Sequence, residues 1–284
     1  MKLTIFLGFL VLIASPGLHG RFTKDESTAA GFLPPRGRNH GILPLVIGGK
    51  DAAKGQYPHQ VSLQVKYYGS WYHICGGNLI AEDKVLTAAH CVDNSEYEEF
   101  RIVAGDWDLT QIDGTEQYSS ISRISMHPNY DDWVTDYDYA VLTLSTPLEL
   151  NLSVGVIGLA SSDDFVPPGN CSISGWGLID NHNSKVHPIL QTANMPLVPH
   201  SVCKEKHEKI NNVTERMVCA GADGVGACFG DSGGPLQCVV ATNNNTLTLQ
   251  LVGITSWGVF PCAQEQYPTV FADVAFCRSW IESQ

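Results

Sequence analysis

The chain has 284 residues, is 44% hydrophobic and carries a formal net charge of −12. Its apolar content excludes a disordered chain, and its length suits one large domain or two small ones sharing an interface. The first 45 residues hold five of the basic and two of the acidic side chains, leaving 12 Lys/Arg against 27 Asp/Glu, a net of −15, which disfavours nucleic acid and anionic membranes as partners and favours solubility.

In chain order, residues Met1–Gly20 open with one lysine, continue with the apolar run Leu3–Ala14 and end in small residues and Pro16. This run is too short to span a bilayer comfortably and reads as a signal peptide cleaved between Ser15 and Gly20. No later apolar stretch approaches about 20 residues, so no membrane anchor is expected. Residues 21–45, with Pro34-Pro35-Arg36-Gly37-Arg38, lack sustained periodicity and suit an exposed propeptide. From Val46 onward short apolar alternations dominate: Val61, Leu63 and Val65; Ala140, Leu142 and Leu144; Leu247, Leu249 and Leu251. Period two with turn residues between runs predicts an all-β domain. Asn243-Asn244-Asn245-Thr246 reads as a polar hairpin tip, and Val274–Ser283 as a closing helix. Asn151, Asn170, Asn212 and Asn244 each begin an Asn-x-Ser/Thr sequon for glycosylation, Asn170 ranking lowest because it abuts Cys171.

Nine cysteines behind a signal peptide imply an oxidising, extracellular setting. There is no Cys-x-x-Cys pair and no His-Glu-x-x-His, so a zinc site is not expected. The sequence alone leaves the cysteine connectivity open.

The most chemically specific stretch is Gly230-Asp231-Ser232-Gly233-Gly234-Pro235. A serine hydroxyl is a weak nucleophile at neutral pH. It needs a base, a group that orients the base, and N–H donors for the charge developing on a substrate carbonyl. Glycines beside it let the backbone approach a substrate closely. The candidate base is His90, in Ala88-Ala89-His90-Cys91. The orienting acid lies in the run containing Asp131, Asp132, Asp136 and Asp138.

These motifs, together with Ser256-Trp257-Gly258 and the chain order His, Asp, Ser, resemble the chymotrypsin and trypsin family of secreted serine proteases from about Val46 to Ile281. The likeness is nearer to elastase- and chymotrypsin-like members than to trypsin-like ones. Gly230–Gly234 also satisfies the Gly-x-Ser-x-Gly pattern of α/β hydrolases, but that class requires a histidine after the serine. The resemblance implies two six-stranded antiparallel β-barrels with a C-terminal helix, spanning about residues 46–160 and 161–284 and joined near Ser161–Gly169. It implies bridges Cys75–Cys91, Cys171–Cys238, Cys203–Cys219 and Cys228–Cys262, with Cys277 left over as a buried free thiol or an intermolecular partner. In it Ser232 is the nucleophile and His90 the base. Asp138 orients His90, because it begins the apolar strand as the family's aspartate does. The N–H groups of Gly230 and Ser232 form the oxyanion hole. Ser256 bonds Asp138, and Trp257 and Gly258 line the strand beside which substrate pairs.

Further expectations come with the resemblance. Val46-Ile47-Gly48-Gly49 matches the N-terminus exposed on activation of a zymogen, whose ammonium pairs with Asp231. The cut then falls between Leu45 and Val46, where most relatives have Arg or Lys in place of Leu45. Self-activation, or activation by another protease that prefers apolar residues, is therefore expected. The pocket is lined by Gly226, Ala227, Phe229 and Thr269, with Gly226 where trypsin-like members carry an aspartate and Thr269 where chymotrypsin-like members carry a glycine. This predicts cleavage after Ala, Val or Leu, with Phe and Tyr second, unless Glu265 reaches the pocket. Asp106, Asp113 and Glu116 match the acidic positions of a calcium-binding loop, the alternative being a solvated acidic hairpin. No cofactor is needed for catalysis. Protein or peptide substrates, protein protease inhibitors and a monomeric state are expected, with no nucleic acid partner. A catalytically silent binding or regulatory protein on the same scaffold is the rival reading. Such proteins usually lack a triad side chain, and all three are present here.

Overall fold

Alternating apolar residues become strands wherever one face can be buried. In the computed structural model, residues 46–93, 99–164, 166, 171–181, 186–241 and 246–284 are described. The signal peptide, the propeptide, Leu45, Asn170 and Asn244 lie outside these residues. The first half contains β1 (Lys50–Asp51), β2 (Gln60–Tyr67), β3 (Ser70–Ala81), β4 (Lys84–Thr87), β5 (Phe100–Ala104), β6 (Gln117–Met126), β7 (Ala140–Leu144) and β8 (Gly158–Leu159). The second contains β9 (Cys171–Gly175), β10 (Gln191–Asn194), β11 (Leu197–Val198), α1 (His200–His207), β12 (Met217–Ala220), β13 (Pro235–Ala241), β14 (Leu247–Trp257), β15 (Thr269–Asp273) and α2 (Val274–Glu282).

Strands β2, β3, β4, β7, β6 and β5 pair in that order and close into a barrel. Val61, Leu63, Leu79, Leu86, Ile102 and Leu142 are fully buried inside it, each contributing roughly 1.5–3 kcal/mol of hydrophobic stabilisation. The second sheet runs β1-β10-β9-β13-β14-β15-β12-β11, with β8 parallel to β14. Strands β10, next to the edge strand β1, and β11, at the opposite edge, are consecutive in the chain. At the bend between them Met195 N–H donates to Cys171 O and Gly221 N–H to Pro196 O, both at 3.0 Å. One chain run thus passes from one side of the sheet to the other, curling it into a half-barrel. Pro196, which has no N–H, sits where no ladder bond is required of it.

The halves interlock. β1 pairs with β10, and α2 inserts Val274, Cys277 and Ile281 into the same apolar cluster as the first barrel. Helix α2 starts where Asp273 Oδ1 accepts the Ala275 N–H at 2.9 Å, a side-chain cap. The alternation at the start of β14 behaves differently from the expectation. Leu251 is buried, whereas Leu247 and Leu249 are exposed, since burial on both faces of β14 begins only at Leu251.

The four disulfides are those the resemblance implies, and Cys277 is free and buried. Cys75–Cys91 joins β3 to the turn carrying His90 across a separation of 16 residues. Replacing both by alanine should lower unfolding free energy by about 3 kcal/mol, measurable by chemical denaturation of the oxidised protein.

Candidate active site

His90 is placed by short-range structure and then locked by long-range contacts. After β4 the chain makes a single tight helical turn, Ala89–Cys91, tethered to β3 through Cys91. Asp138 stands two residues before β7 and engages His90 twice. Its Oδ1 accepts the His90 backbone N–H at 3.0 Å, and its Oδ2 lies 2.7 Å from Nδ1. Ser256 Oγ on β14 donates to the same Oδ2 at 2.6 Å. The Asp138 side chain is 1% exposed and that of His90 13%. Burial is the largest single influence on each and opposes ionisation, but their mutual charge and hydrogen bonds outweigh it. Asp138 is therefore held below the ordinary carboxylate range and His90 above the ordinary imidazole value, with Asp93 adding to the latter. Of the neighbouring acids, Asp131 and Asp132 are exposed and Asp136 is bound by Arg216.

The serine turn is pinned from both sheets. Gly76 N–H donates to Ser232 O at 2.8 Å, Gly233 N–H to Thr255 O at 2.8 Å, and Asn78 Nδ2 to Gly233 O at 2.9 Å. Gly233 has φ +75, and a Cβ there would sit 2.1 Å from Thr87 Oγ1, so only glycine lets the turn approach the segment leading to His90. Gly230 has φ +96. Neither its N–H nor that of Ser232 is donated to another described residue, leaving two adjacent donors uncommitted. No hydrogen bond within 3.5 Å joins Ser232 Oγ to His90 among the described residues; such contacts often tighten only when substrate binds.

Beneath this turn, the buried Asp231 accepts N–H bonds from Gly177 and Cys228, both at 2.9 Å. It has no ion-pair partner among the described residues. Burial pushes its carboxyl up to about 6, against the pull of those two bonds. Val46 is fully buried in the apolar cluster that includes Ala227, and Ile47 O accepts the Gly226 N–H at 3.1 Å. The Val46–Gly49 segment therefore docks beside the serine loop.

The expected pocket residues gather in one region. Thr269 Oγ1 accepts the Ala227 N–H at 3.3 Å, and a Cβ on Gly226 would sit 3.1 Å from Ala263 Cα. Cys228–Cys262 braces the wall, Phe229 meets Phe260 with ring centroids 5.8 Å apart, and nothing lies within 4 Å of a Cβ on Gly258. Trp257 is buried against His207 at 4.9 Å between centroids. Glu265 is exposed.

The predicted cation ligands also converge. One carboxylate oxygen each from Asp106, Asp113 and Glu116 lies within 4.8 Å of the others. Asp106 Oδ1 is buried without a hydrogen-bond partner, and burial, then Glu116, Asp113 and Asp108, push its carboxyl up to about 7. Lys54 Nζ lies 2.7 Å from Asp113 Oδ1.

Sequence reasoning missed His73, Asn78 and Thr87. His73 Nε2 bonds Gly230 O at 3.0 Å and Nδ1 bonds Ser62 Oγ at 2.8 Å. Burial lowers this ring to about 4, so it stays neutral as it holds the Gly230 peptide. Thr87 Oγ1 donates to Gly76 O at 2.8 Å. No local motif marks these residues, since their partners are distant in sequence.

A β-barrel paired with a curled half-barrel, with an imidazole bonded to a buried carboxylate and a glycine-bounded serine turn packed against the segment that leads to that imidazole, is the architecture of a serine endopeptidase. The trypsin family model matches residues 46–281, and the chain belongs to that family. It is 41% identical to chymotrypsin-like elastase family member 1 of Rattus norvegicus over 282 residues, covering 98% of both chains. Identity to the Homo sapiens protein of that name is 41% over 244 residues, 84% of this chain and 91% of the relative. Trypsin-1 of Astacus astacus is 34% identical over 243 residues, 84% of this chain and 99% of the relative.

Asp231 yields a pH prediction. Its folded value of about 6 lies above the ordinary 3.8, so between those values the folded chain keeps a proton that the unfolded chain releases. Stability of the uncut chain should fall as pH rises from about 4 to 6. Asp231→Asn should flatten that slope in denaturation curves recorded across the range.

Proposed function

We propose that this trypsin-family endopeptidase, a relative of the elastases, hydrolyses peptide bonds through Ser232, His90 and Asp138. The observation that carries the reading is the double hydrogen bond between His90 and the buried Asp138. Ser232 Oγ attacks the scissile carbonyl carbon as His90 Nε2 takes its proton. The negative oxygen of the tetrahedral intermediate accepts the N–H groups of Gly230 and Ser232, each such donor contributing on the order of 3 kcal/mol. Collapse breaks the C–N bond, His90 returns the proton to the leaving amine, and an acyl-enzyme remains. Water, deprotonated by His90, attacks the ester and releases the acid, and Ser232 recovers the proton. Asp138 keeps the His90 proton on Nδ1 and stabilises the imidazolium.

Specificity follows from what the pocket lacks. Gly226, Ala227 and Thr269 present no carboxylate, so an Arg or Lys side chain would be desolvated without an ion-pair partner, at a cost of several kcal/mol. The Thr269 side chain narrows the space that a glycine would leave open. Small to medium apolar residues, Ala, Val or Leu, fit best, with Phe and Tyr second. On purified enzyme beginning at Val46, cleavage profiling should show this ranking, and a fluorophosphonate should label Ser232. The acid limb of kcat/KM should have its midpoint above 6.5, because Asp138 and Asp93 raise His90. A profile dominated by Arg and Lys would overturn the pocket assignment.

The chain is made as a secreted zymogen, cut between Leu45 and Val46. The new ammonium then neutralises Asp231, whose buried carboxylate has no counter-charge among the described residues. The apolar Leu45 matches the enzyme's own pocket, so self-activation, or activation by another protease preferring apolar residues, is expected. Sequencing the N-terminus of Ser232→Ala zymogen after incubation with active enzyme should give Val46. Release of Val46 by trypsin alone, or an active form starting at Gly37 or Asn39, contradicts the scheme. The mature enzyme is monomeric and meets protein protease inhibitors in its cleft.

Asp106, Asp113 and Glu116 fit calcium, since carboxylate oxygens suit a hard cation and the buried Asp106 Oδ1 has no hydrogen-bond partner among the described residues. Calcium there would supply charge neutralisation to the loop and take no part in bond cleavage. Added calcium should raise the melting temperature, and Asp106→Asn should abolish the rise. In chelator, stability should fall between about pH 4 and 7 as Asp106 loses the proton its raised folded value retains.

A further inference from the structure

Two residues before Asp138, Asp136 forms the most heavily bonded ion pair among the described residues. Its Oδ1 accepts Arg216 Nε at 3.0 Å, Thr214 Oγ1 at 2.9 Å and the Tyr137 N–H at 3.0 Å, while its Oδ2 accepts Arg216 Nη2 at 2.6 Å. Asp136 is 8% exposed. The guanidinium lies 4.9 Å from the Tyr137 ring centroid and 5.7 Å from that of Phe276 on α2. Arg216 immediately precedes β12, so the pair ties the turn before β7 to the other half of the molecule. This is a two-toothed contact to a buried carboxylate, with the Arg216 side chain 24% exposed, unlike the flexible pairs between fully exposed side chains that contribute little.

The same arginine acts on the other side of Asp138. Tyr139 Oη donates to Asp273 O at 2.7 Å and to Arg216 O at 3.2 Å. Asp138 is thus bracketed, with its second predecessor held by the Arg216 side chain and its successor by the Arg216 carbonyl. Thr135 (φ 57) and Tyr137 (φ 50), flanking Asp136, are both left-handed, a conformation non-glycine residues hold only where surroundings impose it. Neither Arg216 nor Asp136 bonds His90 or Ser232.

We propose that Arg216 is a positioning residue for catalysis: by clamping Asp136 across the two halves, it fixes the turn from which Asp138 reaches His90. The inference rests on the triad reading above. Without the guanidinium, Asp136 would be a buried unpaired carboxylate. Loss of the fork also leaves Thr214 as the remaining side-chain tie of Asp136 to the other half, so Thr135 and Tyr137 relax and Asp138 shifts out of its 2.7 Å contact with Nδ1 whether or not Asp136 is charged, the unpaired charge being a separate cost in stability. Displacements of this size cost up to about 100-fold in rate. The charges facing the reporter His90 are Asp138 and Asp93. Those around Asp136 are Arg216, the Cys277 thiol of α2 and, through its own titration, His127, which stacks on Tyr137 at 4.5 Å.

The test compares wild type, Arg216→Met, Arg216→Lys and the double variant Asp136→Asn/Arg216→Met as active enzymes, assayed well below each melting temperature. kcat and KM for a short apolar peptide amide are measured separately, with the pH profile of kcat/KM. For Arg216→Met we expect kcat to fall roughly 10- to 100-fold, KM to stay within about twofold, and the acid limb to move toward lower pH as Asp138 loosens. Arg216→Lys should recover only part of kcat, because an ammonium cannot form the fork. The double variant removes the unpaired charge, so it should regain melting temperature but not kcat. It also keeps the test alive should Arg216→Met not fold. The proposal is overturned if kcat and the acid limb match wild type while only stability drops, if KM carries the loss, or if the double variant restores kcat. Full activity in Ser232→Ala would instead sink the triad reading, a result separable from all of these.

Discussion

The buried Asp138 carboxylate is the contact on which the site depends. Its donors are the His90 backbone, the His90 ring and Ser256, and they come from both halves of the molecule. A carboxylate taken out of water is tolerated only when its lone pairs are satisfied. The closed barrel therefore cannot offer Asp138 to His90 without β14 of the other sheet supplying the third bond. Interface and active-site geometry are one constraint. The disulfide at Cys91 and the interlocking of β1 and α2 hold the halves in the register that constraint needs.

Four buried or half-buried aspartates in this acidic chain illustrate four ways of handling such a charge. Asp138 is paired with an imidazole and a hydroxyl. Asp136 has a forked guanidinium. Asp231 has two backbone N–H groups and a carboxyl raised to about 6, while Asp106 has an orphaned oxygen and a carboxyl raised to about 7. The first two are complete within the folded chain. The last two are incomplete, and each incompleteness points to a charge arriving later: an N-terminal ammonium in the proposed activation and a cation in the proposed calcium loop. Sites that bind or switch are where a fold leaves polar groups unsatisfied.

The serine turn shows the converse, a backbone committed around two N–H groups to which the proposed mechanism gives a role. Ser232 O, Gly233 N and Gly233 O are all committed, and His73, itself bonded to Ser62, holds the Gly230 carbonyl. Among the described residues nothing accepts the N–H groups of Gly230 and Ser232, the donors of the proposed oxyanion hole. Donors fixed before substrate arrives need no reorganisation during the reaction, which is why such an arrangement is effective.

Much of this was legible in the sequence. Alternation at Val61, Leu63 and Val65 marked a strand because burying one face of a pleat imposes period two. The Gly230–Pro235 stretch marked a close backbone approach because glycine is needed where a turn meets other backbone, and Gly233 makes that approach. The resemblance carried the disulfide pairing, which composition left open. Tertiary structure decided the rest. Asp131, Asp132, Asp136 and Asp138 are chemically alike within eight positions, and only packing sends one to His90 and another to Arg216, 80 residues away. His73, Asn78 and Arg216 carry no local signature, for the same reason. Periodicity and turn chemistry are properties of neighbouring residues and can be read along the chain, whereas the partner of a buried charge is set by which distant segments the cores bring together.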